Sequence, residues 1–340
     1  MFVFSFFMQT EKRKLEHIEI VLKKPVQYDL ITTGFENYLL NYNCCPDLNL
    51  EEVDTEVEFL RKKFSAPIMV DAITGGCKEA EEINKGIAKA CQKFGIGFCL
   101  GSQRAMLEDK SLWKTYYVRD VAPDIFVAGN IGIVQLKEYT ADEIAEALKK
   151  IKADALVVHC NAAQEALQKE GTTNFKGSLQ HLINFAENFE MPIIVKEVGC
   201  GINKEIAKEL AFSKISALNI AGAGGTSWCK VEIFRNPNAR DTYAEFGLPT
   251  AFLLEQIAEV FPKPIIASGG IRNGLQIVKA LALNAKLCAF AYPALKAYAD
   301  GGVKAVEELL QKIIQEIKIG LFLINAKNCK EAKGRVIKMK

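Results

Sequence analysis

From residue 66 onward the chain repeats one pattern. A short apolar run ends in glycine or polar residues, and an amphipathic stretch follows. The runs are APIMVDA (66–72), GIGFCLG (95–101), IFVAGN (125–130), ALVVHCN (155–161), PIIVKEVG (192–199), ALNIAG (217–222), PIIASGG (264–270) and LCAFA (287–291). They are apolar throughout rather than alternating, so each predicts a strand covered on both faces, as in a parallel sheet. The intervening segments carry helical spacing, as in Ile144, Ala147, Leu148 and Ile151, with Thr140 and Asn203 placed as N-caps. RAMLEDKSLWKTYYV (104–118) reads as one such helix. Eight βα units in about 250 residues is the count of a (β/α)8 TIM barrel. An open doubly wound sheet is the alternative, but it carries its glycine fingerprint after the first strand. Here the glycines cluster after the sixth and seventh runs, which favours the barrel. Residues 1–65 then form an N-terminal extension, and residues 66–340 the barrel, with no linker between them.

Composition narrows the function. With 49% hydrophobic and 25% charged residues over 340 positions, the chain buries a sizeable core. A net charge of +2 argues against a general nucleic-acid binder. The ten cysteines contain no C-x-x-C pair and sit mostly in strand-like contexts, so core thiols of a reducing cytoplasm are expected, not disulfides or zinc. The opening MFVFSFFM is too short to cross a bilayer and lacks a basic n-region and cleavage site, so no membrane role is expected. Either Met8 is the true start or Phe2–Phe7 packs on the body or on a partner.

In a barrel of this kind the chemistry lies where strands end. Gly269, Gly270 and Arg272, with Gly224, Gly225 and Thr226 beside them, suit an anion held by backbone amides at a helix N-terminus. The same glycines also suit plain tight turns. Lys196 lies inside an apolar run, where a lone lysine is costly to bury. A Schiff base, a flavin contact and a salt bridge to Glu197 all remain open, although strand neighbours point to opposite faces. His159, Asn161, Gln164 and Glu165 fall within seven positions. Glu165 suits Mg²⁺ shared with a phosphate-bearing substrate, or else a first-turn glutamate on the helix dipole. His159 is read as functional or as a strand-end histidine. EKRKLEH (11–17) is either a solvated face or an arm folded over the barrel mouth, holding a diphosphate with Arg13, Lys14 and His17.

Together these motifs resemble the FMN-dependent, type 2 isopentenyl-diphosphate isomerases. The matching pieces are RKLEHI (13–18), APIMVDAITGG (66–76), GSQRAMLED (101–109), HCNAAQE (159–165), VKEVGCGI (195–202), AGAGGTSWCKVEIFR (221–235) and SGGIRNGLQIVKALAL (268–283). The resemblance implies isomerisation of isopentenyl to dimethylallyl diphosphate with reduced FMN, Mg²⁺ and NADPH as reductant, in a cytoplasmic homo-oligomer, tetramer or octamer. It implies that Arg13, Lys14 and His17, with Ser102, Gln103, Arg104, Asn161 and Gln164, bind substrate. Ala72, Ile73, Thr74, Ser102, Asn130, Lys196 and Thr226 would contact FMN, and Gly269, Gly270, Arg272 and Ala291 would hold its phosphate. Glu165 would bind the metal, with Gln164, Glu232 and His159 as catalytic residues.

The sequence departs from the family pattern in places. KEGTTNF (169–175) stands where PEGDxxF is usual, Ile73 stands for Met, Asn219 for a common Asp, and Ala221 for Ser in some members. Two rivals are another FMN barrel, such as a 2-hydroxy-acid oxidase or dehydrogenase, and a flavin-binding homologue of weak activity. The first wants a histidine after a late strand, and none follows His181. The second has only the KEGTTNF departure in its favour.

Overall fold

All eight apolar runs form strands, and they close into one parallel barrel. In order these are Ile68–Val70, Gly97–Cys99, Val127–Gly132, Ala155–His159, Ile193–Lys196, Ala217–Asn219, Ile265–Ser268 and Leu287–Phe290. Leu287–Phe290 pairs back onto Ile68–Val70, Cys288 opposite Ile68, which completes the ring. The computed structural model describes residues 2–236 and 238–339, with side chains from residue 12 onward. The packing expected of Phe2–Phe7 falls outside those described side chains. Among the described residues no helix is long and apolar enough to cross a membrane. The ten cysteines are free thiols.

The N-terminal residues cover both ends of the barrel. The helix Phe2–Lys23 crosses the face where strands end, and its Val21 packs with Val26, Val231 and Leu295. At the opposite end the hairpin Val57–Phe59 and Lys62–Phe64 inserts a plug. Phe59, Phe64 and Phe126 meet there with ring centroids 5.7–6.0 Å apart, over Met69, Cys99, Ala155 and Ile194 of the barrel interior. Tyr38–Leu40 pairs antiparallel with Val336–Lys338, tying the extension to the chain's last strand. The extension and the barrel thus share one core.

Two features depart from the sequence-based expectation. Residues 104–118 are not one helix: Arg104–Glu108 is helical, and Lys110–Tyr116 is a 3-10 turn. The break is at Asp109, whose extended backbone frees its carboxylate to accept from the amide of Ser111 at 2.9 Å. Two short helices follow the fourth and sixth strands: Ala162–Leu167, whose first turn holds Glu165, and Trp228–Arg235, which helical spacing did not predict. They stand at the barrel mouth and carry much of the site.

Candidate active site

One deep cleft opens where the strands end, and its floor is polar. Lys196, at the end of the fifth strand, pairs with Asp71 of the first at 3.3 Å. Asp71 also accepts from Asn219 at 3.0 Å, and Asn219 in turn accepts from Ser268. This chain crosses the barrel interior and explains how a lysine is tolerated there: its charge is paired. Glu197 shares in it only through its backbone carbonyl, which accepts from Lys196 at 2.7 Å. Its carboxylate folds back onto the amides of Val198, Gly199, Cys200 and Gly201 at 2.5–3.0 Å. His159 Nδ1 lies 2.7 Å from Asn130 Oδ1. Burial, then the charges of Lys196 and Lys14, push its pKa down to about 3, so the imidazole is neutral at physiological pH.

At one side the loops after the sixth and seventh strands touch. Gly269 and Gly270 take φ of 94° and 77°, conformations natural to glycine. A Cβ on Gly269 would lie 1.9 Å from the carbonyl of Gly222, so the close approach itself excludes a side chain. Among the described residues the Gly269 and Gly270 amides make no hydrogen bond. Arg272 flanks them, held by Gln27 Oε1 at 2.6 Å and lying over the ring of Tyr292. Gln27 also donates to Thr226 at 3.0 Å. Free amides, a part-buried guanidinium and the helix beginning at Tyr292 together suit an anion. Across the cleft the buried Thr74 hydroxyl has no partner among the described residues, which marks a place for a ligand's polar atom.

The other end of the cleft belongs to the N-terminal helix. Arg13, Lys14 and His17 line it, facing Ser102 and Arg104. Burial and then the charge of Arg104 lower the pKa of Arg13. Burial, Arg13 and Arg104 push Lys14 down to about 8. Ile18, Val21, Trp228 and Leu295 supply apolar wall. Beside them runs a hydrogen-bonded chain. His17 Nε2 donates to Glu232 Oε1 at 2.9 Å, and Gln164 Nε2 donates to the same oxygen at 3.0 Å. Asn161 donates to Gln164 Oε1 at 3.1 Å and to Glu165 Oε1 at 3.0 Å. Burial raises the Glu232 pKa, but the His17 and Gln164 bonds and the Arg235 charge outweigh it and leave it below its ordinary value.

Residues 136–339 match the family model described as FMN-dependent dehydrogenase. The isopentenyl-diphosphate delta-isomerase of Pyrococcus abyssi is 40% identical over 95% of this chain and 90% of its own. That of Mycolicibacterium vanbaalenii is 42% identical over 96% of each chain. The chain belongs to the FMN-dependent, type 2 isopentenyl-diphosphate delta-isomerase family. It is therefore an enzyme, an isomerase, and its barrel is built for FMN. Among solved structures, an (S)-mandelate dehydrogenase mutant aligns over 99% of both chains with a TM-score of 0.70 at 17% identity. A flavocytochrome b2 mutant with pyruvate bound aligns with a TM-score of 0.69 at 17% identity, over 94% of this chain and 82% of that one. At that identity the likeness establishes the fold.

The isomerase cleft gathers most of the residues expected from the sequence. Ala72, Ile73, Thr74, Ser102, Asn130, Lys196, Thr226, Gly269, Gly270, Arg272 and Ala291 all line it, as do Arg13, Lys14, His17, Arg104, His159, Asn161, Gln164 and Glu165. Two do not. Gln103 is buried behind the wall, donating to the Gly101 carbonyl at 2.7 Å and accepting from the Asn130 amide. One N–H and the carbonyl oxygen of its side chain hold two strand ends. Glu232 is fully buried and reaches the cleft only through His17 and Gln164. Sequence reading assigned no role to Asp71, Gln27 or Arg235. Asp71 has a signal, a carboxylate ending an apolar strand, while Gln27 and Arg235 act through partners far away in the chain.

The fold shows why Thr172 is tolerated in KEGTTNF. The loop closes on Glu165, whose Oε2 accepts from the backbone amide of Thr172 at 2.6 Å. A backbone amide serves whichever side chain occupies position 172. Gly171 is required, because a Cβ there would lie 1.9 Å from the Glu165 carbonyl.

Proposed function

We propose that the enzyme interconverts isopentenyl and dimethylallyl diphosphate for isoprenoid biosynthesis, using FMN in its reduced form, Mg²⁺ and NADPH as the reductant. One observation carries the reading. Three cations, Arg13, Lys14 and Arg104, crowd one end of a cleft walled elsewhere by Ile18, Val21, Trp228 and Leu295. Arg104 is bonded to Glu108 at 2.8 Å and Arg13 lies 3.9 Å from Glu170, yet both still press on Lys14. Such a cluster suits a multiply charged anion, and the apolar wall suits a hydrocarbon attached to it.

FMN fits the remaining space by the chemistry of its donors. Gly269, Gly270, Arg272 and Ala291 would hold its phosphate, while Thr74, Ser102, Asn130, Lys196 and Thr226 would contact the rest. Reduced FMN supplies the proton-transfer centre. The chain's own residues bind, orient and dry the site. The N-terminal helix lies across the mouth and keeps water from a reaction that passes through cationic character. Gln164, oriented by Glu232 and Asn161, stands beside the reacting carbons without adding charge. His159, neutral, fixes Asn130. Among the described residues no cluster of three or more His, Cys, Asp or Glu suits a metal. Mg²⁺ on Glu165 would take its other ligands from diphosphate and water, as this ion commonly does.

A cytoplasmic homo-oligomer, tetramer or octamer, completes the reading. The free thiols accord with a reducing compartment. The test is an anaerobic incubation with isopentenyl diphosphate, Mg²⁺, FMN and NADPH, followed by NMR. Dimethylallyl diphosphate should form, and removal of Mg²⁺ by chelation should stop it. Absence of product under any condition overturns the reading.

A further inference from the structure

Arg235 ends the helix Trp228–Arg235, and its guanidinium reaches three carboxylates on three segments. Nη1 donates to Oε2 of Glu232 at 2.6 Å, Nη2 to Oε1 of Glu170 at 2.7 Å, and Nε to Oε2 of Glu16 at 3.3 Å. Glu232 lies one turn back on the same helix. Glu170 is on the loop that closes over Glu165. Glu16 is on the N-terminal helix, between Arg13 and His17. Arg235 itself does not line the cleft. A planar fork with fixed donors holds carboxylates at set angles, which a single ammonium does not.

We propose that Arg235 is a positioning residue with two duties. It keeps Glu232 as the anion that orients Gln164 and His17, and it clamps the N-terminal arm, hence Arg13 and Lys14, over the cleft. The proposal rests on the reading of Arg13 and Lys14 as diphosphate ligands and of Gln164 as the group beside the reacting carbons.

The first duty follows from burial. Glu232 Oε1 accepts from His17 and Gln164, both uncharged donors, so Arg235 is the cation in direct contact with it. A buried carboxylate stripped of its cation is strongly disfavoured. The groups facing the Glu232 and His17 pair are His17, Lys14 and Glu16 from the N-terminal helix, Gln164 from the helix after the fourth strand, Glu170 through Arg235, and Cys229 and Arg235 from its own helix. Of these, removal of Arg235 alone takes a positive charge from direct contact, so the Glu232 pKa rises. The ionised form then disappears at a higher pH. The second duty follows from Glu16, and from Glu170, which Arg235 shares with Arg13 at 3.9 Å.

The full-length, FMN-loaded protein and its Arg235→Gln, Arg235→Lys and Glu16→Gln variants are compared by four readouts. These are the pH dependence of kcat, KM, affinity for inorganic pyrophosphate, and amide hydrogen exchange over residues 12–23. Arg235→Gln should move the acid limb of kcat to higher pH, weaken pyrophosphate about tenfold and speed exchange about tenfold, the loss of one charged hydrogen bond. Arg235→Lys should restore the acid limb more than the arm, since lysine keeps the charge and loses the fork. Glu16→Gln, which leaves no buried charge unpaired, should speed exchange and weaken pyrophosphate without moving the limb. It decides the clamp if Arg235→Gln does not fold, and Arg235→Lys then decides the limb, which a lone ammonium in place of the fork should still move part of the way to higher pH. A lowered melting temperature with limb, exchange and pyrophosphate affinity all unmoved overturns the proposal. If the parent protein gives no product, the isomerase reading fails on its own, while exchange and pyrophosphate affinity still decide the clamp.

Discussion

His17 and Glu232, 215 positions apart in the chain, meet at 2.9 Å through Nε2 and Oε1. The contact joins the N-terminal helix to the helix after the sixth strand, and Gln164 shares the same oxygen. Burial lowers the His17 pKa more than Glu232 raises it, so the imidazole is a neutral donor. Glu232→Gln replaces the common acceptor by an amide that must offer a donor to one side. Misplacing Gln164 in this way should lower kcat by roughly a hundredfold. Flavin content, measured by absorbance, should not change.

Glu232 also makes stability depend on pH. Its folded pKa lies below the unfolded one, so it contributes stability above the unfolded value that is lost as pH falls through the folded value. Melting temperatures taken down an acid series should fall less steeply in Glu232→Gln than in the parent protein. Parallel curves would show that Glu232 does not titrate as argued.

Arg272→Ala removes a charge-assisted phosphate contact and should weaken FMN binding by about 1.5–3 kcal/mol. Gln27→Leu frees the guanidinium and Thr226 from their tether and should weaken it less. Fluorescence titration of the apoprotein with FMN gives both numbers. Equal affinity in all three proteins would move the phosphate elsewhere.

Lys14, with its pKa pushed down to about 8, must be protonated to meet a diphosphate. Affinity for inorganic pyrophosphate should therefore be full below that value and fall as pH rises through it. Lys14→Arg should keep its affinity at pH 9, since a guanidinium stays charged there. Isothermal titration across the range checks both.

Phe59 plugs the end of the barrel away from the cleft, so its loss should separate stability from chemistry. Phe59→Ala should cost about 3–5 kcal/mol of unfolding free energy. FMN affinity at 25 °C should stay within about twofold, since Phe59 does not line the cleft and distant sites add independently. Denaturant unfolding and flavin titration measure the two.

The barrel was legible because eight runs are apolar on both faces, which few arrangements other than a covered parallel sheet permit. The loop glycines were legible because close backbone approach leaves no alternative to glycine. The plug was not. Its hairpin turns at Leu60 and Arg61, with φ of 46° and 65°, a conformation that Asn-Gly usually signals. The helix expected over 104–118 breaks because Asp109 caps a new turn, a competition that periodicity does not register. Glu232 was placed in the cleft because motif position fixes neighbourhood, not depth. Arg235 went unassigned because its partners Glu16 and Glu170 are 219 and 65 positions away.

Glu165→Gln keeps shape and removes charge. Activity and its dependence on Mg²⁺ should both largely disappear, while FMN stays bound, because the amides and Arg272 of the phosphate site lie elsewhere in the cleft. A flavin-free, unfolded variant would make the HCNAAQE segment structural.

The most direct measurement compares oxidised and reduced FMN in the same anaerobic NMR assay with isopentenyl diphosphate and Mg²⁺. Dimethylallyl diphosphate should accumulate only after NADPH or dithionite has reduced the flavin. Equal rates with oxidised flavin would contradict the cofactor's part in proton transfer and return that task to Gln164, His159 and their neighbours.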